Sequence, residues 1–295
     1  MMDFLGVPMP VLMGQLLLGL INGAFYAVLS LGLALIFGLL NIINFAHGAF
    51  YMLGAFVAWL AMQYLGIGYW PSLILAPLVV GAFGVVIERT LLKRLYNLDH
   101  LYGLLLTFGL ALVIEGTFRQ IYGISGQPYQ LPASLSGGIN LGFMFLPKYR
   151  AWVIVASLVM CLATWLIIER TKLGALMRAA TENPDLVRAF GVNVSLLVTL
   201  TYGFGVALAA FAGVLAAPIY SVNPIMGSHL IIVVFAVVVI GGMGSILGAI
   251  VSGFMLGVFE GLTRVFWPEA SSVVIFVIMA IVLIVKPAGL FGRTA

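Results

Sequence analysis

Leu39 to Leu53 read LLNIINFAHGAFYML, and Asn41, Asn44 and His47 interrupt residues that otherwise belong in hydrocarbon. Polar side chains are costly in lipid and turn toward a protein interior or a water-filled cavity. Their spacing of three puts them on one face if the helix is continuous. The surrounding chain supports the lipid reading. Hydrophobic residues make up 63% of the 295 and charged residues only 7%, whereas a soluble domain carries ~25% charged residues. The mean hydropathy is +1.22. So few charges cannot cover a surface against water, and the apolar runs are long and continuous rather than alternating. The expectation is an all-α polytopic membrane protein.

A membrane span needs ~20 apolar residues. Candidates lie at 10–31, 34–63, 71–92, 101–122, 151–168, 194–217, 228–242, 244–263 and 270–286. The second is too long for one straight helix. The seventh and eighth are divided only by GGMGS (Gly241 to Ser245), which is either a tight hairpin or a broken, re-entrant segment. About eight to ten spans follow, with nine as the working number. Lys and Arg in short loops mark the cytoplasmic side. Arg170, Lys172, Arg178 and Arg188 place 169–193 there, as do Arg89, Lys93 and Arg94 for the turn after the third span. Nine spans put both inside, with the N-terminus outside, Lys286 and Arg293 inside, and the polar loop of about 122–150 outside. Lys148 and Arg150 run against that last placement. The formal charge of +4 is loop bias rather than a nucleic-acid footprint. The N-terminal MMDFLGVPMPVLMGQ has no basic region, so no cleaved signal peptide is expected. The lone Cys161 sits in an apolar run as a small packing residue.

A second polar island, SVNPIMGSHL, holds Ser221, Asn223, Ser228 and His229. It matches the first loosely, because Asn44 precedes Gly48 by four and Asn223 precedes Gly227 by four. Interrupted hydrophobic segments in both halves of a chain point to a transport pathway. The competing reading is that these groups cap helix ends and bond neighbouring helices. The 35 glycines, clustered in the apolar segments, suit close helix packing. Glu115 and Glu260 each precede an arginine by four, Arg119 and Arg264, so structural ion pairs are expected and no lone carboxylate is left for a proton relay.

In GALMRAATENPDLVRAFGVNVSL, Asn183 is a good N-cap, Pro184 suits the first helical position and Gly191 is a natural stop. Asp185 suits the N-terminal end of the dipole. The spacing predicts a two-turn helix from Pro184 to Phe190, with Leu186 and Phe190 as an apolar stripe and Arg188 on another side. Such a helix lies on a membrane surface or docks in a partner's groove.

GLINGAFYAVLSLGLALIFGLLNIINFAHGAFYMLGAF, RAATENPDLVRAFGVN, NPIMGSHLIIVVFAVVVIGGMGSILGAIVSG and KPAGLFGR occur in this order over nearly the whole chain. In these stretches the chain resembles the LivH-type permeases of branched-chain amino-acid ABC transporters. The resemblance implies a single permease domain over 1–295 in a bacterial inner membrane, with 169–193 as the cytoplasmic coupling loop. It implies partnership with a second permease subunit (LivM-like or a second copy), two cytoplasmic ATPase subunits and a periplasmic binding protein. Glu182, Asn183, Pro184, Arg188 and Gly191 are then the ATPase-coupling positions. The loop departs from the E-A-A-x-x-x-G pattern of many other importers: Ala179 and Ala180 are present, but Gly191 is too distant. Asn41, Asn44, His47 and Asn223 line or border the passage. The default cargo is leucine, isoleucine and valine; relatives carry urea, short amides, other amino acids or aromatic acids.

The dipeptide Gly-Lys never occurs, so no P-loop can form and ATP chemistry belongs to another subunit. The chain is thus expected to be no enzyme and to need no cofactor. A secondary carrier driven by an ion gradient is the rival, and the coupling-like loop speaks against it. An intramembrane enzyme needs a converging nucleophile and base or metal ligands, and His47, His100 and His229 are far apart in sequence.

Overall fold

The computed structural model describes residues 3–4, 7–40, 42–96, 98–142 and 144–292. Helix α1 (Met9–Leu40) runs through the boundary expected near residue 32, because LGLALIFGLL contains no breaker strong enough to end a helix in lipid. At 32 residues it is about 48 Å long. Most residues from Gly19 to Ile36 are buried on every side, the mark of a helix at the centre of a bundle. The chain then breaks at 42–45 and restarts as α2 (Ala46–Leu65). Next come α3 (Tyr69–Thr90), α4 (His100–Tyr122) and α5 (Lys148–Arg170). The polar loop between α4 and α5 folds into a short antiparallel hairpin, Gly138–Asn140 against Phe145–Pro147.

The 169–193 loop is itself helical, as α6 (Lys172–Glu182) and α7 (Pro184–Ala189). The second central helix, α8 (Val194–Tyr220), follows directly. After an irregular stretch at 221–227 come α9 (Ser228–Gly241), α10 (Ile246–Phe266) and α11 (Val274–Val285). Seven of these helices are long and apolar enough to cross a membrane, and the chain is a multi-pass membrane protein. At 14 and 12 residues, α9 and α11 are about 21 and 18 Å long, short of a ~30 Å hydrocarbon core.

GGMGS resolves as a tight hairpin between α9 and α10. Gly242 and Gly244 adopt φ of 101° and 80°, a region that disfavours other residues, and the Ser245 hydroxyl caps α10 by accepting from Gly248 N–H at 3.1 Å. The longest seam is between α1 and α10, where glycines such as Gly19 and Gly257 let the backbones touch. Large apolar side chains such as Leu105, Val113 and Ile284 stand exposed on the outer helices, as lipid contact requires. Tyr64, Trp70 and Trp267 are exposed at helix ends on one side of the bundle, where membrane interfaces favour aromatic rings.

The loops expected to share a side do so. Leu39, at the end of α1, packs on the cluster formed by Ala180, Val187, Val194 and Leu197. Gly38 lies against Gly244 of the α9–α10 hairpin, and Leu290 and Phe291 donate backbone hydrogen bonds to Ile240 and Gly241. Glu88 meets Thr199 in the first turns of α8. The α3–α4 turn, the α6–α7 loop and the C-terminal tail therefore gather at one end. The 123–147 loop lies at the other, where Gln127 and Val222 exchange backbone hydrogen bonds of 2.7 and 2.9 Å.

Candidate functional site

The two polar islands are the two breaks in the helical chain. His47 Nε2 lies 3.0 Å from the Leu29 carbonyl, so that nitrogen carries the proton and donates. Helix α2 therefore begins level with residue 29 of α1, about 16 Å short of the end of α1. The stretch 42–45 spans that distance, entering from the end that carries the α6–α7 loop. The 221–227 stretch enters from the opposite end, where Val222 pairs with Gln127. The breaks meet at Gly48 and Gly227. A Cβ on Gly227 would stand 2.0 Å from the Gly48 carbonyl oxygen, and one on Gly48 would stand 2.6 Å from that of Gly227. Only glycine at both positions permits this approach. The shared Asn-to-Gly spacing of the islands is thus a spatial match as well.

Irregular backbone at membrane depth must be satisfied inside the protein. For the first break Thr107 of α4 does much of this. Its hydroxyl contacts the Ile43 carbonyl at 3.1 Å and accepts from Phe45 N–H at 3.2 Å. Asn44 donates from Nδ2 to the Tyr202 hydroxyl of α8 at 3.2 Å, and its carbonyl accepts from His47 N–H. Asn44 and His47 are both 1% exposed. They do not share a face of one helix, because the helix is interrupted between them. Asn41 lies outside the described residues. Asn223 is half-buried in the second break, with its Oδ1 buried and free of hydrogen bonds.

A cavity of about 300 Å³ opens beside the meeting point. Phe45, Phe108, Leu112, Ile231, Ile232 and Glu115 line it, together with the glycine pair and Pro224 next to Asn223. The N-terminal turns of α2 and α9 both reach its wall through Gly48 and Ser228. Glu115 does not pair with Arg119 as the i, i+4 spacing suggested; it accepts a hydrogen bond from Ser228 Oγ, and no basic group pairs with it among the described residues. The tertiary partner on α9 overrides the local rule. The other expected pair forms: Glu260 bonds Arg264 and also accepts from Tyr26 OH at 2.8 Å.

A third carboxyl group, Glu88, escaped the sequence reading because it sits beside a basic turn. It is 1% exposed. Its oxygens accept from the Tyr96 hydroxyl at 2.5 Å and the Thr199 hydroxyl at 2.7 Å. Burial and this bond push the Tyr96 phenol far above its usual pKa, so it stays a donor. Thr199 and Tyr202 are one turn apart on α8. That helix thus holds Glu88 of α3 with one side chain and Asn44 of the first break with the other. Glu88→Ala leaves the half-buried Tyr96 hydroxyl without its acceptor and should cost about 2 kcal/mol. Glu88→Gln keeps an acceptor for Tyr96 and should cost less than about 1 kcal/mol. Thermal unfolding of the two variants in detergent checks the order; equal midpoints contradict it.

The α6–α7 loop is built as its sequence indicated. Asn183 Oδ1 accepts from Leu186 N–H at 2.9 Å, Pro184 occupies the first turn, and Gly191 takes φ 81°. The helix ends at Ala189, one residue earlier than expected. Arg188 pairs with Asp185 at 2.8 Å in solvent, a contact worth little energetically. Glu182 ends α6 just before the cap. Val187 is buried and anchors α7 on α8, while Leu186 and Phe190 are 54% and 79% exposed. The expected apolar stripe therefore exists and faces outward, at the end of the molecule where α1 and α8 also terminate.

Residues 15–283 match the family described as branched-chain amino acid transport system / permease component. The chain is 32% identical over 292 residues to the high-affinity branched-chain amino acid transport system permease protein BraD of Pseudomonas aeruginosa, covering 95% of each. It is 30% identical over 294 residues to LivH of Escherichia coli, again covering 95% of each. To LivM of the same organism it is 28% identical, over 91% of this chain and 68% of that one. With the match extending from α1 through α11, the chain belongs to the branched-chain amino acid transport permease family.

Proposed function

We propose that this chain is a membrane-spanning permease subunit of an ATP-driven, binding-protein-dependent importer of leucine, isoleucine and valine. The observation that carries the reading is α7: a short capped helix, anchored by Val187 and presenting Leu186 and Phe190 outward, in a chain of this family that contains no P-loop. Two ATPase subunits supply the power stroke, and a binding protein delivers substrate at the opposite end. Likeness to both LivH and LivM supports a second, related permease subunit as the partner. The inner membrane of a bacterium is the setting, with the α6–α7 end in the cytoplasm.

Mechanism follows from connectivity. Closure of the ATPases moves α7, and only four residues separate the end of α7 from the start of α8, so the motion passes into α8. Through Thr199 and Tyr202 that helix bears on Glu88 and on the break at Asn44. Glu182, Asn183, Pro184, Arg188 and Gly191 hold the loop in its docking shape. The passage runs along the cavity where the breaks meet, with Asn44 and His47 fixing the wall behind it and Asn223 beside its rim. Asn41, three positions before Asn44 in sequence, completes the proposed set. Two arrangements of packed helices provide alternating access, and no reactive residue is needed.

The test is uptake of labelled leucine into proteoliposomes that hold this chain with its partner permease, ATPases and binding protein. Uptake should require both ATP and binding protein. Uptake driven by an ion gradient in the absence of partners overturns the reading, and uptake of urea or an aromatic acid instead of leucine overturns the substrate.

A further inference from the structure

The cavity at the meeting of the breaks has a polarity that neutral walls do not explain. It measures about 300 Å³, at the small end of the ~300–1,000 Å³ range of ligand sites. Glu115 is the only ionisable side chain among those that line it. One carboxyl oxygen accepts from Ser228, and among the described residues no hydrogen bond reaches the other and no cation balances the group. A carboxylate placed in an apolar, partly enclosed setting without a counter-charge favours binding of a cation. The first turn of α9 lies on the carboxylate's own side, since Ser228 is its donor, and the Ser228 and Leu230 N–H groups are already bonded to the Ile225 and Gly227 carbonyls. Phe45, Phe108, Leu112 and Ile231 supply apolar surface beside the carboxylate. An ammonium group carrying a short apolar branch, as in an aliphatic amino acid, fits a cavity of this character.

We infer that Glu115 is the counter-charge for the ammonium group of the transported amino acid, so that this chain selects for an ammonium independently of the binding protein. The inference rests on the importer reading for what occupies the cavity. Anions such as aromatic acids are repelled at Glu115, and neutral amides gain nothing from it.

The experiment uses the complete transporter in nanodiscs without binding protein. Leucine, 3-methylbutylamine (ammonium without carboxylate) and 4-methylpentanoate (carboxylate without ammonium) are titrated and read by saturation-transfer NMR. Leucine and the amine should bind weakly, and 4-methylpentanoate should bind more weakly than either. Glu115→Gln should weaken leucine and the amine by roughly tenfold or more while leaving 4-methylpentanoate unchanged or improved. Glu115→Asp should retain part of the binding. Equal binding of leucine to wild type and Glu115→Gln overturns the inference, and so does the absence of amine binding to wild type. The latter result, combined with a Glu115→Gln transporter whose permease pair dissociates, would assign the carboxylate to a cation of the partner subunit. Loss of ATP-driven leucine uptake in wild type with amine binding intact would instead sink the importer reading and leave the cation site.

Discussion

Gly227→Ala, the smallest possible change at its site, is expected to lower leucine uptake by at least roughly tenfold, and Gly227→Val to abolish it. A single methyl at this position points at the backbone of Gly48, 2.0 Å from its carbonyl oxygen. Neither atom belongs to a flexible side chain, so the first turns of α2 and α9 must separate. Overpacking of this kind costs about 1–3 kcal/mol where the structure can yield. Here the yielding elements are the two breaks that frame the cavity. The effect should therefore appear in transport before it appears in membrane insertion. Gly109→Ala in α4, where a Cβ meets nothing within 4 Å, is the matched control and should transport as wild type. Normal uptake by Gly227→Ala would mean that the breaks do not need to touch.

Phe190→Asp should produce the other large loss, of a different kind. The ring is 79% exposed and holds nothing together within this chain, whereas Val187 and the Asn183 cap maintain α7. A charge at this position should leave thermal stability within about 0.5 kcal/mol of wild type. If Phe190 seats in a groove of the ATPase, removing an apolar anchor and burying a charge there costs more than about 2 kcal/mol of docking, roughly thirtyfold in affinity. ATP-dependent uptake should fall accordingly, and co-purification of the ATPase with it. Arg188→Ala should have a much smaller effect, since its ion pair with Asp185 is solvated. Full uptake by Phe190→Asp would remove α7 from the coupling pathway.

What was legible in the sequence was local or compositional. The scarcity of charge forced a lipid-embedded protein, and the long continuous apolar runs made it a helical bundle rather than a barrel, the two arrangements that satisfy the backbone there. Among the described residues the apolar runs located the seven helices long enough to cross a membrane and the two shorter ones, α9 and α11, although the first boundary fell several residues early. The shape of α7 was readable to within one residue, since an N-cap, a proline at the first position and a positive-φ glycine act within a few residues of one another.

The candidate site was readable only as a list of misplaced polar residues. Asn44 and Tyr202 are 158 positions apart, and Glu88 and Thr199 are 111 apart. Nothing in either neighbourhood names its partner. The i, i+4 rule held for Glu260 and Arg264, where helix α10 itself supplies the contact, and it failed for Glu115, where Ser228 of α9 supplies a different one. Composition and short-range chemistry by themselves determined that the chain lives in a membrane, where it is helical, and which loop carries a short capped helix, because those outcomes depend on solvent and on neighbours along the chain. Only the tertiary structure decided that the two helix breaks meet at paired glycines beside a cavity holding an unbalanced carboxylate, because that outcome depends on which distant helices pack closely enough to exclude every side chain between them.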